Sequence, residues 1–418
     1  MALKNNQSVR SICVLTAVCG LSLALGGCMG QGKANQEHVS AAKAKMNLMK
    51  GAVEQQMAHD QFMAGDLDKA LRSVDKSISL APDSPKAWVL RGRIQLERSD
   101  VENARLSLLE AEKLEPENVD AQYYLGIVYE RFSQPEAALA RYQKAQELDP
   151  SHAQYVVAGA EMLIAMAKFD EAEAMLATKS ESLAHNAAIR QTQGQLMMLR
   201  GNPAKACTAF IEARLLAPDD LSITEDLVQA QMASGAFADA EFNITALQKA
   251  KGNENRRDLL QLKSRCLIGL ERYSEARSIL SNITADDQSG KDLQNWIALG
   301  NVCVRLEDWG RVRQVASRVV ATAPDRTEGY LLRAQAQRAE GDAQGAIATL
   351  QKAARIPGKD TSALIMLAMV QIDKNNLGDA KAALAEAMVR NPKDTSVQQL
   401  LQGLEQGRFA TVPTDEGH

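Results

Sequence analysis

Basic residues are in short supply: 48 Lys and Arg stand against 52 Asp and Glu, a formal net charge of -4. A phosphate-binding surface needs clustered Lys and Arg, usually in a basic domain, so no nucleic-acid partner is expected. Aromatics are sparse at 4%, which leaves Ala, Leu and Met to fill any core. The five histidines, His38, His59, His152, His185 and His418, show neither metal-ligand spacing nor a nucleophile or carboxylate partner pattern. No catalytic residue, metal, cofactor or small-molecule substrate is therefore expected, and the chain does not read as an enzyme. Nor is there a long apolar run: Ile12 to Leu25 is 14 residues, short of the ~20 that a membrane-spanning helix requires.

What that short run does resemble is an export address. Lys4 and Arg10 precede it and Leu25-Gly26-Gly27-Cys28 closes it, as in a secretory signal. The closing tetrapeptide resembles the lipobox of bacterial lipoproteins, which implies cleavage before Cys28, lipidation of its thiol and attachment to a membrane through acyl chains. An ordinary signal cut near Gly26 or Gly27 is the alternative, and no A-x-A site favours it. Loss of Lys4 and Arg10 with residues 1–27 takes the net charge from -4 to -6. Residues 28–49 then read as the lipidated cysteine, a tether from Met29 to about Asn35 and a leading helix. The resemblance implies an envelope location facing the periplasm, and Met29, where Asp would favour inner-membrane retention, leans toward the outer membrane. Gly27, Gly32 and Lys33 also approach a phosphate-loop pattern, but Ala34 replaces its Ser or Thr and no strand precedes it.

From residue 51 the chain repeats. Ala70, Ala104, Ala138, Ala172, Ala206 and Ala240 are 34 residues apart, and Pro82, Pro116, Pro150 and Pro218 each follow such an alanine by twelve. Trp88 and Gly92 precede Ala104; Leu125, Gly126 and Tyr129 precede Ala138; Leu108 and Tyr142 lie four residues beyond their alanines. These positions resemble the tetratricopeptide pattern W-x2-L-G-x2-Y, A-x3-F, P. The resemblance covers 51–394 and implies about ten units in an all-α fold, an α-solenoid coiling as a right-handed superhelix of helix-turn-helix repeats. Six units run without a gap to 254; the others centre on Ala276, Trp296, Tyr330 and Ala380, with a slip of register in the polar stretch Ala285 to Lys291. Residues 395–406 read as a capping helix and 407–418 as a flexible tail.

Burial at the fourth, seventh, eleventh and twenty-fourth positions of each unit follows helical spacing, which assigns Trp88, Tyr129 and Trp296 to the core. With Cys13, Cys19 and Cys28 assigned to the leader, Cys207, Cys266 and Cys303 remain as small hydrophobes, with a Cys266–Cys303 bridge left open. The family places ligands on its concave face, at the second, fifth, ninth, twelfth and thirteenth positions of each first helix. Here these include Arg93, Tyr123, Ile127, Arg131, Gln191, Gln195, Met198, Asn301, Val304 and Arg305. No unit pairs Lys at the fifth position with Asn at the ninth, the clamp by which one subclass grips chaperone tails; Asn301 follows Ile297. The expected function is a membrane-anchored scaffold that recruits protein partners in envelope assembly or secretion. Tight-adherence or type IV pilus assembly is the alternative, and a catalytic site hidden in the array is a third reading for which no extra domain remains.

Overall fold

The computed structural model describes residues 33–177, 183, 185–253, 256–285, 292–406 and 408. The fold is all-α, 80% helical, with 21 helices and no strand among the described residues: an α-solenoid of helix pairs. The expected signal and Cys28 lie outside the described residues, as do 286–291 and nearly all of 407–418. Two compact units meet between Tyr124 and Leu125, within one helix.

The first unit holds α1 (Lys33–Met63), α2 (Leu67–Leu80), α3 (Pro85–Glu97), α4 (Val101–Leu114) and the start of α5 (Val119–Arg131). The rest of α5 opens the second, followed by α6 (Pro135–Leu148), α7 (Ala153–Ala165), α8 (Phe169–Leu176), α9 (Ala187–Leu199), α10 (Pro203–Leu216), α11 (Leu221–Ala233) and α12 (Phe237–Lys249). It continues through α13 (Arg257–Gly269), α14 (Tyr273–Ala285), α15 (Leu293–Arg305), α16 (Trp309–Thr322), α17 (Glu328–Ala339), α18 (Ala343–Ala354), α19 (Ser362–Asp373), α20 (Leu377–Arg390) and α21 (Thr395–Glu405). The tether expected to reach Asn35 is shorter than read, because α1 is already helical at Lys33 and runs unbroken into the first pair. Gly51 does not interrupt it. A Cβ there would stand 3.0 Å from that of Ala81, and Ser77 Oγ donates to the Gly51 carbonyl at 2.8 Å, so the glycine serves a close helix approach.

Within each pair the chain turns through one left-handed residue: Gly65, Ser99, Ser133, Ala167, Gly201 and Gly235 at intervals of 34, then Glu271, Glu307, Gly341 and Asn375. The steps from Gly235 to Glu271 and from Glu271 to Glu307 are two residues longer, so the register shifts twice rather than only once beyond Ala276. Non-glycine residues at these turns accept a conformation disfavoured by roughly 1–2 kcal/mol, which the packing of both flanking helices offsets. Starts are fixed chemically. Pro85, Pro135 and Pro203 occupy first turns, where no N–H is needed, and the carboxylates of Asp220, Asp342 and Asp394 accept from N–H groups of theirs.

Three devices hold a pair together. The recurrent alanines are fully buried, with Val312 taking the place in one pair. Opposite them, glycines of the first helix make room for a large side chain of the second: a Cβ at Gly92, Gly126 or Gly194 would stand 2.6 Å from Leu108, 2.3 Å from Tyr142 or 2.5 Å from Phe210. The third device sets a polar side chain at the eleventh position, where burial is expected. Gln61, Gln95, Gln231 and Gln337 stand there and bond across the pair to Ser73, Ser107, Asn243 and Thr349 at 2.7–2.9 Å.

Trp88, Tyr129, Trp296 and Tyr330 are half-buried rather than interior, with polar or cationic contacts at the edge. Trp88 Nε1 donates to the Pro82 carbonyl at 2.8 Å, and Tyr330 Oη to that of Pro324 at 3.1 Å. Arginines cover the exposed ring faces: Arg91 lies 5.7 Å from Trp88, Arg141 5.9 Å from Tyr129 and Arg318 5.8 Å from Trp296. Cys207, Cys266 and Cys303 are free thiols, so the Cys266–Cys303 bridge is not formed. Burial pushes the Cys266 thiol up to about 11, with Glu241 adding to the shift, which keeps it protonated and unreactive near neutral pH.

Candidate functional site

The first helices α13, α15 and α17 of the second unit line a cavity of about 540 Å³. Its apolar wall is Ile268, Ala298, Val302 and Val304; its polar groups are Asn301, Arg305 and Gln335, with Tyr273 entering from the start of α14. Arg305 donates from Nε to Tyr273 Oη at 3.3 Å, with its guanidinium carbon 5.5 Å from that ring's centre. The contact orients a full positive charge on the rim, since Arg305 is exposed. Gln335 differs: its Oε1 is buried and, among the described residues, is the buried side-chain oxygen left without a hydrogen-bond partner. An acceptor withdrawn from water costs about 1–3 kcal/mol until a donor reaches it.

Asn301, Val304 and Arg305 are thus brought together. Gln335 and Ile268 were missed, although the signal was present: Gln335 follows Asn301 by one 34-residue period, and Ile268 holds the twelfth position of its own unit. Tyr273 was invisible to a template confined to first helices.

The remaining expected residues have other surroundings. Arg93 is half-buried in the first unit, its guanidinium carbon 5.1 Å from the centre of the Phe62 ring and 5.0 Å from that of Tyr124. It borders a smaller cavity of about 260 Å³, with Gln55, His59, Lys86 and Asp120. Burial raises the Tyr124 phenol, and the charge of Arg93 opposes that rise. Tyr123 sets its ring edge-on to Tyr124 at 5.2 Å. In the second unit Ile127 is half-buried and Arg131 exposed. Gln191 and Gln195 both donate to Asp226 Oδ2 on α11, at 2.8 and 3.0 Å, so a carboxylate that sequence reading passed over ties these glutamines to the next first helix. Met198 packs against the cluster of Ala206, Phe210, Leu227 and Ala230.

Among the described residues no group of His, Cys, Asp or Glu could hold a metal ion, and no helix is long and apolar enough to cross a membrane. The cavity thus combines an apolar recess with two amides and a cation.

Comparison with known proteins identifies the repeats in part of the array. Models described as tetratricopeptide repeat match residues 56–114, 104–153 and 337–404. These segments carry tetratricopeptide repeats. Human protein O-mannosyl-transferase TMTC3 is 32% identical over 87 residues, 21% of this chain. The chain spans only 10% of that relative's length, so its transferase name speaks for the relative alone. Among solved structures, a tetratricopeptide repeat protein from Parabacteroides merdae is similar at 18% identity, covering 61% of this chain and 99% of its own, with a TM-score of 0.43. PilW, a type IV pilus biogenesis factor, is similar at 19% identity over 48% of this chain and 93% of its own, with a TM-score of 0.44. Tetratricopeptide repeats imply a protein–protein interaction scaffold, and their fold is typically non-catalytic.

Proposed function

We propose that the chain is a membrane-anchored scaffold whose α13–α15–α17 face takes an extended segment of a partner protein, as part of envelope assembly or secretion. The unpartnered Gln335 Oε1 beside Asn301 carries this reading. A peptide N–H supplies the donor that Gln335 lacks, an apolar side chain fills the recess, and Arg305 meets a carbonyl or carboxylate. A photo-crosslinking residue in place of Asn301, in living cells, is expected to give a discrete protein adduct; one in place of the exposed Lys381 on α20 is not. Arg305→Glu in the same chain should reduce the adduct roughly tenfold, the scale of a lost charge-assisted contact. Equal adducts from both positions would remove the site from this face.

Support for the anchor is the sequence Leu25 to Cys28 closing a 14-residue apolar run. Cys28→Ala is expected to abolish incorporation of a fatty-acid analogue and to release the protein from the membrane fraction, because acyl chains on Cys28 are the attachment that the lipobox resemblance implies. Undiminished labelling of the variant would end the lipid-anchor reading.

A further inference from the structure

Helix α1 has two working faces, and the fold uses one. Gly51, Glu54, Gln55, Ala58 and Phe62 turn toward the first pair. Glu54 forms an ion pair with Lys76 of α2, Ala58 is fully buried, and Phe62 packs with Ala70 and Val74. About 150° away around the helix, at roughly 100° per residue, lie Val39, Ala42, Met46, Met49 and Val53. Val39 is 57% exposed, Met46 47%, Met49 64% and Val53 60%. Their spacing alternates three and four residues, the narrow seam of a two-stranded coiled coil rather than the broad stripe that packs on a globular core.

Charge decides what fits the seam. Lys43 and Lys50 border it on one side and Lys45 on the other, all exposed and, among the described residues, without an acidic partner. In coiled-coil terms they occupy the flanking positions that select the partner. A second copy of this helix, parallel or antiparallel, would set lysine against lysine along both borders. A lipid surface is matched less well. In-plane membrane helices carry Trp, Phe or Leu on a strongly amphipathic face, whereas this seam is Val, Ala and Met, and the one leucine nearby, Leu48, points away from it. We propose that the exposed seam of α1 is covered by an amphipathic helix of a partner protein whose apolar stripe is bordered by Glu or Asp. Methionines suit the role, since their unbranched side chains repack around the knobs of a facing helix.

The probe is a dye-labelled synthetic peptide of three heptads, with Ile and Leu at its core positions and Glu at all flanking ones. A matched peptide has Lys at the flanking positions, and both are titrated against the full chain by fluorescence anisotropy. The Glu peptide should bind at least roughly tenfold more tightly than the Lys peptide, a preference that shrinks in salt of about 0.5 M as screening shortens to a few ångströms. Lys43→Glu, Lys45→Glu and Lys50→Glu combined should invert the order, and Met46→Asp with Met49→Asp should abolish both affinities. Circular dichroism matching the parent shows that the repeat half of α1 remains packed. Equal affinity for the two peptides, or binding indifferent to the methionine changes, overturns the proposal. So does binding to phosphatidylglycerol vesicles with neither peptide bound, which makes the occupant lipid. A dimer in sedimentation that Met49→Asp dissolves makes the occupant a second copy and overturns it likewise.

Discussion

Phe210→Ala is expected to lower the stability of its repeat by about 3–5 kcal/mol, the range for emptying a buried aromatic site. Phe210 is 1% exposed and touches the cluster of Ala206, Leu227 and Ala230, so its removal leaves a void between α10 and the helices on either side. The void cannot close readily, because Gly194 already brings α9 as near as a ring permits: an added Cβ would stand 2.5 Å from Phe210 Cε1. The same geometry makes Gly194→Ala destabilising in the parent and far less so beside Phe210→Leu, a coupling that a double-mutant cycle reads directly. Denaturant unfolding measures the loss, and hydrogen exchange of α9 to α11 localises it, since arrays of this kind loosen repeat by repeat. An unchanged midpoint together with unchanged exchange would show that the ring does not support the pair.

The glycine and its facing side chain were legible as a pattern before their contact was known. Gly92 and Gly126 stand sixteen residues before Leu108 and Tyr142, and the resemblance to the repeat pattern placed both members in a pair of helices; Gly194 and Phe210 keep the same spacing. The alanine period was legible for the same reason: a small side chain suits the place where two helices touch, although Val312 shows that one pair admits a larger one. Other features were legible in part or not at all. The continuity of the leading helix with the first repeat helix escaped because Gly51 reads as a break between them, whereas it serves the close approach to Ala81. The roles of Gln191 and Gln195 escaped because they depend on Asp226, 35 and 31 residues away on the next first helix, and no local pattern links an amide to a carboxylate at that separation. The candidate cavity was half legible. Asn301 and Arg305 followed from template positions, whereas the side on which Tyr273 enters is set by how α14 leaves its turn at Glu271.

The polar pins were legible least of all, since a glutamine in a helix reads as surface. Asn243→Leu tests one of them and is expected to cost about 1–3 kcal/mol, the penalty for leaving a buried polar group without its partner. Asn243 and Gln231 are 4% and 6% exposed. Asn243 Nδ2 donates to Gln231 Oε1 at 2.9 Å, while its own Oδ1 accepts from Arg214 Nη1 at 2.8 Å. Leucine matches asparagine in shape but offers no donor, so Gln231 Oε1 stays buried and unpaired between α11 and α12. Arg214 is half-buried and can turn toward water, which makes it the smaller part of the loss. The discriminating step is the second substitution. Gln231→Leu added to Asn243→Leu removes the stranded oxygen and closes the gap with apolar surface, so the double variant should recover most of the lost stability in denaturant unfolding. A double variant no more stable than the single one would mean that the loss comes from misfitted packing of the introduced leucine against α11 rather than from the unpaired amide.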